Sequence, residues 1–327
     1  RKKTGKVERP VKVLQFGEGN FLRAFVDYMI DIANEQGKFN GDIVLVKPIE
    51  FGSLDRFHDQ ECQYTVQLRG IVDGEPKRIN RIVTSVADAV DAYGEYQKYA
   101  DYAKLDSLRY IVSNTTEAGI VYDDTDRLEM EPPKSYPGKL TKFLYERYKH
   151  FNGAMDKGLV MLPVELIDDN GIHLKECVEK LAVLWNLEDG FKTWLDEACV
   201  FTSTLVDRIV TGYPRDEAEE LCKEFGYQDN LIVTGEPFAL WVIESAKDIS
   251  KEFPLPDAGL PVIFTDNQKP YKQRKVRILN GAHTSFVLAS YLCGNDIVLE
   301  SMQDELIFNF MKATIFDEVI PTLTLPK

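Results

Sequence analysis

A hydrophobic strand, a glycine turn, a helix and a second strand follow one another near the start of the chain. The apolar run Val11–Phe16 predicts a buried strand, and Gly17-Glu18-Gly19 ends it with a turn. Apolar residues then recur at helical spacing from Asn20 as far as Gly37. A second buried strand is predicted at Ile43–Val46. This βαβ order restricts the N-terminal part to a parallel α/β fold, with its glycines where a dinucleotide pyrophosphate rests on a helix N-terminus.

The glycine turn matches the dinucleotide-binding motif only in part. Leu22 stands where GxGxxG has its third glycine, so a tight turn without a nucleotide is an equal alternative. A polar loop starting at Asn114 follows the strand predicted at Arg109–Ser113, at the sheet edge where α/β proteins bind ligands. A helix-capping turn would use the same residue types. The cofactor-binding residues predicted from both loops are Phe16, Gly17, Glu18, Gly19, Asn20, Phe21, Leu22, Asn114, Thr115, Thr116 and Glu117.

The residues after the second strand leave the choice between NAD and NADP open. Where an acidic residue usually binds the adenosine ribose, this chain has Lys47 and Pro48. Glu50 or Asp55 could bind the ribose instead, whereas Lys47 could accept a 2′-phosphate.

A second candidate site lies at Lys275, Asn280 and His283. On an α-helix, at about 100° per residue, Asn280 and His283 lie roughly 140° and 80° from Lys275, so all three can face one cleft. A buried amine can exchange a proton with an alcohol, an amide can donate to a developing oxyanion, and an imidazole can orient a hydroxyl. These groups would oxidise an alcohol or reduce a ketone without a metal. The alternative is an exposed lysine, a capping asparagine and a partly buried histidine.

Charge narrows the classes of ligand. The net charge of −14 argues against a nucleic-acid binder or a protein of anionic membrane surfaces. An anionic small molecule must therefore meet a local basic patch, and no Asp or Glu occurs between Asn267 and Asn295. A solvated turn around Pro270 is the alternative interpretation of this run. Its basic residues are Lys269, Lys272, Arg274, Lys275 and Arg277.

The cysteines and the absence of metal motifs limit the chemistry further. Five scattered cysteines, with no CxxC, predict reduced thiols in a cytoplasmic protein. The sequence has no HExxH and no run long enough to span a membrane, so we expect neither a local zinc site nor a membrane partner.

The alternation of strands and helices gives way to helices near Asp266. We therefore predict a dinucleotide-binding domain at 1–266 and the start of a helical substrate domain at 267–327. About sixty residues are few for an independent core, so a further C-terminal portion is expected. A strand is predicted at Cys199–Thr202, followed by a loop at Ser203–Arg208 in which Asp207 and Arg208 could pair or contact a polar ligand.

Two motifs together carry a family resemblance. The run from Phe16 to Phe25, FGEGNFLRAF, combined with Lys275, Asn280 and His283, resembles the long-chain mannitol dehydrogenase family of polyol and sugar-acid oxidoreductases. The resemblance implies an α/β protein with a Rossmann-type N-terminal domain, a mainly helical C-terminal domain that is only partly present, NAD as cofactor and no metal.

The resemblance also implies residue roles. Lys275 matches the general acid/base, Asn280 the oxyanion amide and His283 the imidazole that orients the substrate. Val206 and Asp207 match a substrate-facing loop. Many polyol dehydrogenases have a second oxyanion asparagine after the strand at Val160, and here that position is Leu166.

The leading hypothesis is reversible reduction of D-tagaturonate to D-altronate. The basic run, including Lys272 as a substrate-binding residue, would favour a sugar acid because its carboxylate needs a cation. A fructuronate or neutral polyol dehydrogenase is the alternative enzyme, and a nucleotide-binding regulator without catalysis is the alternative from another class. NADP stays open beside NAD, and the oligomeric state is not predicted.

Overall fold

The computed structural model describes residues 4–116 and 119–323 of the chain. The chain divides into two compact units, Arg1–Asp266 and Asn267–Lys327. Within the described ranges every strand belongs to the first unit. In chain order they are β1 (Val11–Phe16), β2 (Asp42–Lys47), β3 (Tyr64–Val72), β4 (Glu75–Val83), β5 (Val86–Asp91), β6 (Tyr110–Ser113), β7 (Val160–Pro163), β8 (Val200–Phe201), β9 (Ser203–Asp207), β10 (Val210–Gly212), β11 (Val233–Gly235), β12 (Leu240–Glu244) and β13 (Val262–Thr265).

Six parallel strands form the main sheet in the order β5-β2-β1-β6-β7-β8. Phe16, the last residue of β1, pairs with Val46 on one side and Ser113 on the other. The strand order therefore reverses between β1 and β6, which is the topological switch point of a doubly wound sheet. The predicted Rossmann-type N-terminal domain is confirmed.

Helices cover this sheet, and the chain enters the first of them directly from the glycine turn. The segments Asn20–Leu22, Arg23–Asp27 and Tyr28–Glu35 follow without a break, the middle one with π-helical hydrogen bonding. The helix ends before Gly37, as predicted. The α-helices of the first unit are α1 (Asn20–Leu22), α2 (Tyr28–Glu35), α3 (Asp55–Asp59), α4 (Tyr96–Asp101), α5 (Tyr136–His150), α6 (Asn170–Leu184), α7 (Asp189–Glu197) and α8 (Ala218–Phe225).

The two faces of the main sheet pack into two separate hydrophobic clusters. Val13 and Ile43 belong to one cluster, whereas their neighbours Leu14 and Val44 belong to the other. Successive side chains of a strand point to opposite faces, so a sheet covered on both sides needs apolar residues at every position. This explains why the strands appear in the sequence as continuous apolar runs.

Two smaller sheets complete the first unit, with strand orders β10-β11-β3-β4 and β13-β12-β9. The second of these corrects one prediction. Ser203–Asp207 was predicted as a loop, but it forms β9, antiparallel to β12, with Val206 opposite Trp241. The strand is stabilised by a partner distant in the chain, which local sequence does not reveal.

The second unit is helical in its described part. Its buried side chains include Phe286, Ile307 and Ile315, and Ser290 Oγ donates to Ser301 Oγ at 2.7 Å. No helix among residues 4–116 and 119–323 is long and apolar enough to cross a membrane. The helical segments are α9 (Lys269–Arg274), the π-helical Lys275–Asn280, α10 (Gly281–Leu292), α11 (Val298–Gln303), α12 (Glu305–Ala313), the π-helical Thr314–Val319 and the 3₁₀ turn Ile320–Thr322.

Candidate active site

A cavity of about 460 Å³ opens in the first unit where β1 and β6 end. The glycine turn and the polar loop after β6, which come from distant parts of the sequence, both contribute to it. Phe16 and Leu22 are instead buried core residues, and Glu117 lies outside the described residues. The cavity is lined by Gly17, Glu18, Gly19, Pro48, Ile49, Asn114, Thr115, Thr116, Gly119, Val121, Asp123, Lys134, Ser135 and Tyr136.

Gly17 has to be glycine at this turn. Its φ of +120° lies in a region that other residues rarely adopt. A Cβ atom on Gly17 would stand 3.1 Å from the carbonyl oxygen of Asn114 and 3.1 Å from Cδ1 of Leu22. Leu22, which replaces the third glycine of GxGxxG, therefore packs against the turn. The turn forms with a leucine at that position.

Two side chains bind the carbonyl oxygens of the turn. Gln15 Nε2 donates to the carbonyl of Gly17 at 3.2 Å, and Arg23 Nε donates to that of Glu18 at 3.2 Å. Arg23 also donates to Asn20 Oδ1 at 2.6 Å. The first N–H groups of a helix have no partner within the helix, so this turn can offer N–H groups to an anion.

Glu18 is the acidic residue of the cavity wall at the turn. Its side chain is half-buried, and burial raises the pKa of Glu18.

Lys47 does not face the cavity as a free cation. It is 1% exposed, and its Nζ donates to the carbonyls of Ile49, Glu50 and Phe51 at 2.9–3.3 Å. The same ammonium pairs with Asp91 at 3.1 Å. Lys47 thus holds the loop after β2, and its three N–H groups are already engaged.

The loop after β6 is held by a residue that sequence reasoning did not select. Glu165, two residues after the end of β7 and 2% exposed, accepts hydrogen bonds from the backbone N–H and the hydroxyl of Thr115 at 3.0 and 2.9 Å. Ser113 Oγ donates to its other oxygen at 3.1 Å. The one signal available in the sequence was an acidic residue at the carboxyl end of a buried strand.

In the second unit, Lys275 and Asn280 are the ends of a π-helical segment. Gly281 N–H bonds to the carbonyl of Val276, five residues earlier. In an α-helix, residues five apart are separated by roughly 140° around the helix axis, and i to i+5 hydrogen bonding makes this angle smaller. The π-helix therefore brings the amide of Asn280 toward the side of the helix that carries Lys275.

His283 follows on α10, and its backbone contact decides its tautomer. Nδ1 lies 3.0 Å from the carbonyl oxygen of Leu279. A carbonyl oxygen only accepts, so Nδ1 carries the proton, and a neutral ring of this tautomer has Nε2 as its acceptor. An acceptor is the group needed to bind a substrate hydroxyl.

The predicted substrate residues Val206 and Asp207 lie on β9, and Lys272 lies on α9. Val206 is 4% exposed and packs in the first hydrophobic cluster, whereas Asp207 is half-buried. The neighbouring Arg208 donates to the backbone carbonyls of Ala24, Pro237 and Phe238. Leu166, at the position of the second oxyanion asparagine, is 65% exposed.

A doubly wound sheet with a glycine turn at its switch point defines a Rossmann-type domain. The model of the mannitol dehydrogenase Rossmann domain matches residues 11–256, and that of the mannitol dehydrogenase C-terminal domain matches residues 267–327. The chain therefore belongs to the mannitol dehydrogenase family.

Similar proteins include two curated enzymes and one solved structure. Altronate oxidoreductase of Bacteroides thetaiotaomicron is 45% identical over 322 residues, 98% of this chain and 67% of that protein. Altronate oxidoreductase of Bacillus subtilis is 45% identical over 314 residues, 96% of this chain and 65% of that protein. The chain thus spans about two thirds of the length of these relatives. Mannitol 2-dehydrogenase of Pseudomonas fluorescens, solved with NAD and D-mannitol, shares the fold with a TM-score of 0.77 at 23% identity, covering 98% of this chain and 66% of that one.

Proposed function

We propose that the protein reversibly reduces D-tagaturonate to D-altronate with NADH as the hydride donor. The observation that carries the proposal is the 45% identity to an altronate oxidoreductase along 98% of the chain. The glycine-turn cavity of the first unit and the lysine, asparagine and histidine of the second unit supply groups suited to this chemistry.

The cavity fits a dinucleotide in its chemistry. A Cβ added at Gly19 would meet no atom within 4 Å, so this side of the turn is open. Because Gly19 has no side chain, a phosphate can approach the backbone of the turn closely. When bound there, the cofactor supplies the hydride. We infer NAD rather than NADP because Lys47, the candidate partner of a 2′-phosphate, is already bonded to three carbonyls and Asp91.

The proton chemistry is assigned to the second unit. As a ketone is reduced, negative charge develops on its oxygen, and Asn280 would donate a hydrogen bond to that oxygen. Lys275, as an ammonium, would protonate it, and in the reverse direction the amine would remove the proton from the alcohol. His283 would accept a hydrogen bond from a substrate hydroxyl at Nε2, because its Nδ1–H donates to the carbonyl oxygen of Leu279.

The preference for a sugar acid rests on local charge. The overall charge of −14 repels an anionic substrate, but the stretch between Asn267 and Asn295 has no acidic residue. Lys272, one turn before Lys275 on the preceding helix, is our candidate to bind the substrate carboxylate. A neutral polyol would gain nothing from this cation.

The test is NADH oxidation with tagaturonate, fructuronate and fructose as separate substrates. We expect turnover of tagaturonate, and we expect Lys275→Ala to reduce kcat by about 10²–10⁴, the range of general acid–base catalysis. Lys312→Ala, an exposed lysine on another helix of the same unit, is the matched control and should keep full activity.

Each other outcome contradicts a defined part of the proposal. Equal turnover of fructose would refute the sugar-acid preference, and fructuronate as the better substrate would favour the related reductase. Normal activity of Lys275→Ala would refute the proton-transfer role. NADH binding without oxidation of any of the three substrates would favour a regulator.

We also propose that the enzyme works in the cytoplasm on a small molecule. All five cysteines are free, and burial raises the pKa of Cys62 to about 11 and that of Cys199 to about 12. Thiols held in the protonated form react slowly, which suits structural cysteines of a reducing compartment.

A further inference from the structure

We propose that Glu165 is a positioning residue for the cofactor, because its carboxylate fixes the loop Asn114–Thr116 as one wall of the glycine-turn cavity. This inference rests on the proposed NAD binding and adds a residue to it. Glu165 does not line the cavity itself, and it acts through Thr115 and Ser113.

The two oxygens of Glu165 divide their hydrogen bonds. Oε1 accepts both bonds from Thr115, 3.0 Å from its backbone nitrogen and 2.9 Å from its hydroxyl, while Oε2 accepts from Ser113 Oγ at 3.1 Å. Oε1 therefore holds the main chain and the side chain of a single cavity-lining residue.

The backbone held in this way is strained at the next residue. Thr116 has φ +73°, and a β-branched residue in this left-handed region is an outlier. Such a conformation persists only where surrounding contacts determine it, and it is concentrated at functional sites. Its carbonyl accepts from Gly119 N–H at 3.1 Å, and Asn114 N–H donates to the carbonyl of Phe16 at 3.1 Å. The loop is thus hydrogen-bonded to β1 before Thr115 and to Gly119 after it.

The main chain of Glu165 is itself fixed from two further elements. Asn170, at the start of α6 and 0% exposed, donates from Nδ2 to the carbonyls of Glu165 and Thr204 at 3.0 and 3.1 Å. Its Oδ1 accepts from Thr204 N–H at 2.9 Å. Thr204 belongs to β9, the strand that carries Val206 and Asp207. Through Asn170, Glu165 is therefore connected to β9, which carries the predicted substrate residues Val206 and Asp207.

Glu165 places a carboxyl group in a buried position, where its charged form is poorly solvated. Burial raises the pKa of Glu165, which is the sign of an unfavourable desolvation. An apolar residue would avoid that cost but could not accept from Thr115. The three hydrogen bonds that Glu165 accepts therefore support a role in shaping the loop.

The test compares NADH dissociation constants by fluorescence titration. Glu165→Leu removes all three bonds and should raise the Kd for NADH about 10- to 100-fold, the equivalent of leaving one buried donor of Thr115 unsatisfied. Glu165→Gln keeps an acceptor for Thr115, and Ser113 can rotate its hydroxyl, so its Kd should stay within about threefold of wild type. Thr115→Val removes the hydroxyl that donates to Glu165 but keeps the backbone N–H bond, so it should raise the Kd for NADH by a smaller factor than Glu165→Leu.

Asp31→Asn is the control for general damage. Asp31 is 3% exposed, accepts from the backbone and hydroxyls of Thr84 and Ser85, and does not line the cavity. The Asp31→Asn substitution should lower the unfolding temperature without changing the Kd for NADH. Glu165→Leu should raise the KM for NADH, while its kcat at saturating NADH should stay within about threefold of wild type. Loss of folded protein would instead lower the apparent kcat without raising the KM.

The outcomes separate this inference from the proposed function. Wild-type protein that does not bind NADH would overturn both. Wild-type binding together with an unchanged Kd in Glu165→Leu and Thr115→Val would overturn the positioning role alone. A Glu165→Gln variant as weak as Glu165→Leu would also overturn it, because the negative charge rather than the hydrogen bonds to Thr115 would then be the cause.

Discussion

Asp27 offers a prediction about stability that can be worked from the structure. Its carboxyl is 0% exposed, lies in the π-helical segment after the glycine turn, and accepts a hydrogen bond from Tyr64 O–H at 2.5 Å. Burial raises the pKa of Asp27 from 3.8 to about 7, while the bond from Tyr64 and the charge of Arg23 oppose the shift and the charge of Asp31 adds to it. Among the described residues, Oδ1 of Asp27 and Oε1 of Gln15 are buried acceptors without a donor. A proton on Oδ1 of Asp27 would convert one of these acceptors into a donor.

The sign of the pH dependence follows from proton binding. Between pH 3.8 and about 7 the folded protein holds a proton on Asp27 that the unfolded chain has released. Its contribution to stability is therefore complete below the unfolded pKa of 3.8 and is lost as the pH rises through the folded pKa of about 7. A shift of about three pKa units, at about 1.4 kcal/mol each, corresponds to about 4 kcal/mol. Most of that loss falls between pH 4 and pH 7.

Asp27→Asn removes the titration and keeps an acceptor for Tyr64. We expect the free energy of unfolding of the variant to fall less steeply than that of wild type as the pH rises from 5 to 7, by about 1.4 kcal/mol per unit. Guanidinium unfolding followed by tryptophan fluorescence measures this, because Trp185, Trp194 and Trp241 all lie in the first unit.

Two results would decide the origin of the effect. Parallel pH profiles for wild type and Asp27→Asn would refute the argument. Tyr64→Phe provides a second comparison: the Tyr64 hydroxyl stabilises the ionised carboxylate, so its removal should move the loss of stability to higher pH.

Two further substitutions test the turn and the core. Gly17→Ala should cost about 1–3 kcal/mol of stability through its backbone strain, and it should weaken NADH binding because its Cβ would press on Asn114. The control is Gly259→Ala, at φ +72° with nothing near its Cβ, which should lose stability but bind NADH normally. Equal NADH binding by the two variants would contradict the steric argument. Phe253→Ala should lower the free energy of unfolding by about 3–5 kcal/mol, since its buried ring packs against Phe39, Tyr110 and Trp241. A loss under about 1 kcal/mol in denaturant unfolding would show that the aromatic cluster repacks.

The order of strands and helices around the glycine turn was readable from the sequence. Apolar runs predicted β1 and β2, glycines marked the turn and the end of the helix, and the resulting Rossmann-type domain is confirmed by the sheet order and the family match. Local patterns suffice here because period, turn residues and burial act over a few neighbouring residues. The catalytic roles of Lys275, Asn280 and His283 stay predictions that only the proposed experiments test.

Contacts between distant residues decided the rest. Ser203–Asp207 is a strand because β12 pairs with it, Lys47 is a loop anchor because three carbonyls and Asp91 surround it, and Glu165 holds Thr115 across fifty residues of chain. The sequence by itself determined which segments could be strands, turns and helices. Only the tertiary structure decided which polar side chains support the cavity wall, because a buried carboxylate or ammonium acquires its role from the partners that folding brings within hydrogen-bonding distance.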